Sequence, residues 1–367
     1  MPQDPFSDAD RALMHEALKL AERAIGLSEP NPRVGCVLIG AQGQRAEGHT
    51  QPAGQAHAEV VALRAARAAG WDPRGATAYV TLEPCAHHGR TPPCCDTLVQ
   101  AGVARVVCAV GDPNPLVAGE GFARLRAAGV QVDTGLLEHE ARELNIGFFS
   151  RMQRARPWVR MKIAASLDGR TALPDGRSQW ITGEAARADG HAWRRRAGAV
   201  LTGVGTVLED DPRLDVRLVP TALQPLRVVV DSRLETPLHA RILQPPGTVR
   251  LYAAAPHEQR RQAFEGRAEV TLLPAVHGKV DLAAMLADLA ARGVNELHVE
   301  AGHKLNGSFV REALVDEFLV YLAPKLIGAG REMAAFGPLA ALNDAVPLRF
   351  VDTVQIGPDL RIRARRA

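Results

Sequence analysis

His57, Cys85 and Cys94 carry side chains that bind the same soft divalent ion, and a chain that uses them together must bring three separated segments to one point. His57 opens the triplet His57-Ala-Glu59; Cys85 follows Pro84; Cys94 closes Cys85-Ala-His-His-Gly-Arg-Thr-Pro-Pro-Cys94. One neutral imidazole and two thiolates fill three of the four positions of tetrahedral Zn²⁺, and the fourth is left for a water that the metal acidifies. Glu59 stands two residues from the His ligand, where it can move protons between that water and a substrate amine. Cys95 competes with Cys94 by position, although a small buried core residue is its ordinary role.

The hydrophobic pattern of the first half supplies a scaffold for such convergence. Ser7 caps a helix with Met14, Ala17, Leu18, Ala21 and Ile25 at helical spacing. Strand patterns at 34–39, 77–82, 106–110 and 130–132 alternate with helical stretches from about 57 to 69, from Cys94 and from Glu120. That alternation predicts a parallel or mixed sheet with helices on its faces. His57 and Cys94 then begin helices, where free N–H groups favour a thiolate, and Cys85 lies just past a strand end.

The chain of 367 residues is long enough for two domains. We expect the first at 1–150 and the second at 151–367, joined by a weakly patterned linker at 147–156. A net charge of +3 argues against a nucleic-acid or membrane partner. No apolar run reaches the roughly 20 residues of a membrane span, and the first residues lack a secretory pattern, so a cytoplasmic protein is expected. We also expect a homo-oligomer. The five cysteines all fall within the first 108 residues, an odd number that argues against a disulfide framework. Cys36 and Cys108 sit in apolar strand patterns and read as core.

After Pro157 the alternation restarts. Strands are expected at 158–164, 200–202, 227–231, 249–253, 269–273, 296–300 and 318–323, helices at 184–197, 282–292 and 305–314, and a closing hairpin at 348–354 and 360–362. Thr202-Gly-Val-Gly-Thr206 lacks the third glycine of the dinucleotide fingerprint, having Leu208 in its place. Val299-Glu-Ala-Gly-His-Lys-Leu-Asn-Gly-Ser308 reads as a strand running into a helix, a place where N–H groups can meet a phosphate. Asp168-Gly169 is a turn signal.

Zinc deaminases generally close their signature with Cys-x-x-Cys, whereas eight residues separate Cys85 from Cys94 here. Pro30-Asn-Pro-Arg-Val-Gly-Cys-Val37, His57-Ala-Glu59, Thr81-Leu-Glu-Pro-Cys85 through Cys94, Gly111-Asp-Pro-Asn-Pro115, Ala165-Ser-Leu-Asp-Gly-Arg170 and Val299-Glu-Ala-Gly302 together resemble the bifunctional riboflavin-biosynthesis deaminase/reductase family. The long Cys-to-Cys loop is that family's own pattern, and the resemblance places Cys94 as the third metal ligand. Arg90 and Thr91 of that loop are candidates to line a substrate pocket.

The resemblance implies an α/β protein with two parts: an N-terminal cytidine-deaminase-like three-layer α/β/α domain and a C-terminal dihydrofolate-reductase-like α/β domain. It implies a zinc hydrolase that removes the ring amino group of 2,5-diamino-6-ribosylamino-4(3H)-pyrimidinone 5′-phosphate, with Glu59 catalytic. An NADPH-dependent oxidoreductase then reduces ribosyl to ribityl, giving 5-amino-6-ribitylamino-uracil 5′-phosphate. Carried over by resemblance, Ala164, Trp180, Thr206, Asp210, Ser232 and the turn of Gly302, His303, Lys304, Leu305, Asn306, Gly307 and Ser308 would hold NADPH. Ser178, Arg194, Leu214, Arg217 and Glu300 would hold the substrate. Arg194 and Arg217 suit a phosphate, and Lys162 could contact the sugar. His303 and Asp215 depart from the smaller or hydroxyl residues of the family pattern.

Two rival readings remain at this level. One is a zinc deaminase of another nucleoside or base with an accessory C-terminal domain. The other is a structural zinc domain closed by Cys95, which would leave Glu59 without a purpose.

Overall fold

The structure is a computed structural model and describes residues 5–87, 92–115, 117–255 and 257–367. The chain divides into two compact units, Met1–Ala155 and Arg156–Ala367.

In the first unit, helix α1 (Asp8–Glu22) begins at Ser7, whose hydroxyl accepts from the Asp10 N–H while the Asp10 carboxylate accepts from the Ser7 N–H. That reciprocal cap satisfies two of the donors every helix start leaves free. Strands β1 (Gly35–Ile39), β2 (Arg45–His49), β3 (Thr77–Val80), β4 (Arg105–Cys108) and β5 (Gln131–Thr134) form one sheet in the order β2-β1-β3-β4-β5. β1 runs antiparallel to β2 and β3, while β3, β4 and β5 run parallel. Helices α2 (Ala58–Ala68), α3 (Cys94–Gln100), α4 (Glu120–Ala127), α5 (Glu138–Leu144) and α6 (Ile146–Arg154) complete the unit.

Two glycines explain how the helices close on this sheet. A Cβ at Gly35 would lie 1.9 Å from the Ala17 carbonyl oxygen of α1, and one at Gly48 would lie 2.1 Å from the Ala58 oxygen of α2. Gly48 pairs with Cys36, the residue after Gly35, so the two glycines face opposite sides of the pleat and α1 and α2 pack on opposite faces. The close approach at Gly48 brings the start of α2, and with it His57, down onto the sheet.

In the second unit, β6 (Trp158–Ser166), β7 (Ala199–Gly203), β8 (Leu226–Val230), β9 (Val249–Ala253), β10 (Glu269–Leu272), β13 (Glu296–Val299), β14 (Glu317–Ala323), β15 (Leu348–Ile356) and β16 (Asp359–Arg366) make a nine-stranded sheet. Its order is β10-β9-β8-β7-β13-β6-β14-β16-β15. The first seven are parallel, and the closing hairpin β15–β16 adds antiparallel to β14. A separate small hairpin pairs β11 (Ala275–Val276) with β12 (Lys279–Val280). Helices α7 (Glu184–Arg196), α8 (Val204–Asp210), α9 (Glu258–Ala263), α10 (Leu282–Ala291) and α11 (His303–Arg311) flank the strands.

One polar cluster is buried inside this second sheet. Arg160 on β6 donates to Glu317 on β14 at 2.5 Å and to Glu296 on β13 at 2.7 Å, with the Trp193 ring 4.4 Å away. Arg365 and Arg363 also pair with Glu317, and Arg196 with Glu296. A charge out of water costs several kcal/mol unless paired, so the cluster fixes which strands neighbour β6.

The expected linker at 147–156 is corrected: most of it is α6. Its apolar residues are few, but Phe148 and Phe149 are buried in the first core. Among the described residues no helix is long and apolar enough to cross a membrane.

Candidate active sites

The first site forms where α2, α3 and the segment after β3 meet. His57 is the N-cap residue of α2, Cys94 the first residue of α3, and Cys85 follows the turn that leaves β3. His57 Nδ1 lies 3.6 Å from Cys85 Sγ and 3.3 Å from Cys94 Sγ, and the three donor atoms lie within 4.8 Å of one another. Nitrogen and sulfur ligands at ~2.0 and ~2.3 Å from one tetrahedral zinc stand roughly 3.6 Å apart, so the donor set fits that ion. The Cys94 N–H donates to Cys85 Sγ at 3.3 Å, a hydrogen bond that favours the thiolate a metal ligand must be. Cys95 is buried in the core, with its sulfur on Asp96, and it is not part of the cluster.

Glu59, in the first turn of α2, is buried beside these sulfurs. Burial pushes its carboxyl up to about 7, and the neighbouring Cys85 adds to that. A carboxyl near neutrality can both accept and return a proton at little cost. An adjoining cavity of about 450 Å³ is lined by His57, Glu59, Asn31, Gln55, Asp112 and Asn114, with an apolar wall of Phe148 and Met152.

Two contributors to this site escaped the sequence reading. Glu83 accepts from the backbone N–H groups of Asp112, Gly119, Gly121 and Phe122, at 2.9 to 3.3 Å. It thereby ties Asp112 and the start of α4 to the strand-end segment that leads into Cys85. A Cβ at Gly121 would meet the Pro84 oxygen at 2.1 Å, so only glycine allows that approach. Phe148 and Met152 come from α6; the aromatic pair Phe148-Phe149 was the available signal. Arg90 and Thr91, expected to line the pocket, lie outside the described residues.

The second site lies beyond the carboxyl ends of β6, β7 and β13, the usual place for ligands on a parallel sheet. A cavity of about 420 Å³ is lined by Ala164, Ser178, Trp180, Arg194, Thr206, Asp210, Leu214, Arg217, Glu300, Gly302, His303 and Asn306, all expected from sequence. Lys162 lines it too. Glu300 accepts from Arg194 Nε at 2.5 Å and from Arg194 Nη2 at 3.0 Å, while Lys162 Nζ stands 3.7 Å away. Burial alone would raise the Glu300 carboxyl; Arg194 and Lys162 overcome it and hold the group well below the usual carboxylate range.

The structure gives several of the expected residues of this unit local partners. Arg194 donates to both Glu300 oxygens and to the Asp215 backbone oxygen. Arg217 pairs with Asp215 at 2.8 Å. Residues 303–311 form α11 rather than a turn, and Gly307 faces the Ala335 backbone, where a Cβ would meet the oxygen at 2.0 Å. Lys304, Leu305 and Ser308 line an adjoining cavity. Ser232 accepts from the Val280 N–H at 3.2 Å and so ties down the small hairpin. Asp168 is a turn carboxylate that accepts from Ile327 and Gly328.

With both geometries in hand, comparison with known proteins is decisive. Residues 7–110 match the cytidine and deoxycytidylate deaminase zinc-binding region, and residues 157–362 match the RibD C-terminal domain. The riboflavin biosynthesis protein RibD of Escherichia coli is 46% identical over 365 residues, 96% of this chain and 98% of that protein. The chain belongs to the RibD family.

RibD of Acinetobacter baumannii superposes with a TM-score of 0.89 at 41% identity, covering 98% of this chain and 99% of that one. The diaminohydroxyphosphoribosylaminopyrimidine deaminase/5-amino-6-(5-phosphoribosylamino)uracil reductase of Thermotoga maritima gives 0.87 at 31% identity, with 98% and 99% covered. A RibD enzyme is a bifunctional deaminase and reductase of riboflavin biosynthesis, and its two domains imply Zn²⁺ and NADPH. Matches along the whole chain disfavour a deaminase of another base with an accessory domain. The three-ligand cluster, with Cys95 turned away, likewise disfavours a structural zinc domain.

Proposed function

We propose that the unit containing residues 1–150 carries the pyrimidine deamination and the unit from 151 onward the reduction of the ribosyl side chain, with the phosphorylated aminopyrimidine as substrate. The observation that carries this reading is the convergence of three zinc-spaced donors on a cavity with the buried Glu59 carboxyl beside them.

His57, Cys85 and Cys94 hold the metal. Zinc, when bound, supplies Lewis acidity that makes water a nucleophile near neutral pH. Glu59 accepts the proton of the attacking water and delivers it to the departing amine, so that ammonia leaves neutral. Phe148 and Met152 present an apolar surface to the pyrimidine ring, and the tie to Glu83 keeps Asp112 at its polar edge.

In the second unit, Ala164, Trp180, Thr206, Asp210 and the start of α11 hold the cofactor, and Ser232 contributes by holding the hairpin. NADPH, when bound, supplies a hydride. Glu300, anchored by Arg194, fixes the sugar hydroxyls next to Lys162, while Ser178, Leu214 and Arg217 border the same cavity. Oriented donors and acceptors of this kind lower the barrier by prepaying alignment. The protein acts in the cytoplasm as a homo-oligomer, which light scattering on the purified chain checks.

The test supplies purified zinc-loaded protein with the pyrimidine phosphate and NADPH and follows ammonia and NADPH absorbance separately. The reading predicts both signals. Ammonia without NADPH loss would leave only the first reaction.

A further inference from the structure

The cavity of the second unit does not end at Thr206 and Gly302. Those two residues, with Glu209, His303 and Arg331, also line an adjoining cavity of about 470 Å³. Val204, Val230 and Leu305 give it an apolar wall, and Lys279 and Lys304 stand at its border. Arg331 donates to Glu209 at 2.6 Å, so these two charges cancel. Neither lysine has an ion-pair partner among the described residues.

Lys279 is placed there by the small hairpin. His277 and Gly278 have φ of 50° and 72°, the conformation that a two-residue hairpin turn demands. Val280 is buried, and its N–H donates to Ser232 just beyond β8. Because side chains alternate along a strand, anchoring Val280 in the core turns Lys279 outward, over the cavity next to Val230.

We propose that Lys279, with Lys304 on the same cavity, recognises the phosphate on the adenosine ribose of NADPH and so sets the preference for NADPH over NADH. This rests on the cofactor assignment above. An apolar wall suits adenine, and a dianion needs two cations. NADH carries a free 2′-hydroxyl at that position, which nucleotide sites recognise with an unengaged carboxylate. The carboxylate here, Glu209, is occupied by Arg331. The same lysines could serve the pyrophosphate common to both dinucleotides, and the test separates the two.

Full-length Lys279→Met, Lys304→Met and the double variant are titrated with NADPH and with NADH, without substrate, by cofactor fluorescence. Each single change raises the Kd for NADPH roughly tenfold, the size of one lost charge-assisted contact. The Kd for NADH stays within about twofold, and Lys279→Arg keeps most of the preference. Added salt narrows the gap between the two cofactors in the wild type and not in the double variant. Equal weakening of both cofactors assigns the lysines to the pyrophosphate and overturns the proposal, as does no change. Failure of the wild type to bind either dinucleotide overturns the cofactor assignment instead.

Discussion

The first site is assembled from one imidazole, two cysteine sulfurs and the buried Glu59 carboxyl within a short stretch of chain, whereas the second is assembled from opposed charges gathered along the ends of several strands. The difference decides what each can lose. On the proposed reading His57, Cys85 and Cys94 each supply a donor that nothing nearby replaces, so one substitution would remove the metal and the chemistry together. Around Glu300 the charges hold one another: Arg194, Lys162, Asp215 and Arg217 share the load, and a single change shifts geometry more than it removes a function.

The largest effect is therefore expected at the metal. Cys94→Ser lowers deamination by more than roughly 10³-fold, since the rest of the site cannot turn water into a nucleophile at neutral pH. Reduction of separately supplied deaminated substrate continues, and metal analysis shows zinc lost. Substantial deamination with Cys94→Ser would break the contrast at once.

Glu300→Gln sharpens the other half. It keeps the shape but weakens the hold of Arg194 and Lys162, and misplacement by about 1 Å costs roughly 10²-fold in rate. NADPH oxidation should fall by about that factor, with ammonia release unchanged. A fall in ammonia release as well would show that the two sites are not separate.

A third prediction concerns His191, buried beside Arg194 and accepting from the Arg217 N–H at 3.1 Å. Burial first, then the two arginines, push its imidazole down to about 4. The folded state thus favours neutral His191. Its contribution is whole above the unfolded value near 6.5 and is lost as pH falls toward 4. Denaturation of the full chain between pH 7 and 4.5 should lose on the order of 2 kcal/mol more in the wild type than in His191→Asn. Equal losses would contradict the placement of His191. The smallest effect is expected of Cys95→Ala: about 1 kcal/mol of stability, with zinc and deamination retained.

Legibility in the sequence follows the same contrast. The cluster of His57, Cys85 and Cys94, with Glu59 beside it, could be read because its residue types are rare and its segments lie close in sequence. Continuous apolar runs gave β1, β4, β8 and β9 nearly to their ends. β2, Arg-Ala-Glu-Gly-His, has no strand pattern and exists because β1 pairs with it and Gly48 admits α2. α8 was hidden in a glycine-rich stretch, and α5 and α6 were hidden by polar composition. Glu83 and Lys279 could not be found, because their roles depend on backbone N–H groups and cavity walls that only folding assembles. Resemblance named Arg194 and Glu300, yet local sequence did not reveal that they grip each other.

The account centres on Glu59 as the proton carrier of a metal site that is chemically separate from the reductase. Its most direct test is Glu59→Gln, assayed for bound zinc, ammonia release and NADPH oxidation on deaminated substrate. Removing a general acid and base costs roughly 10²–10⁴-fold. We predict one zinc retained, deamination reduced within or beyond that range, and NADPH oxidation unchanged. Zinc retained with deamination near the wild-type rate would contradict the account.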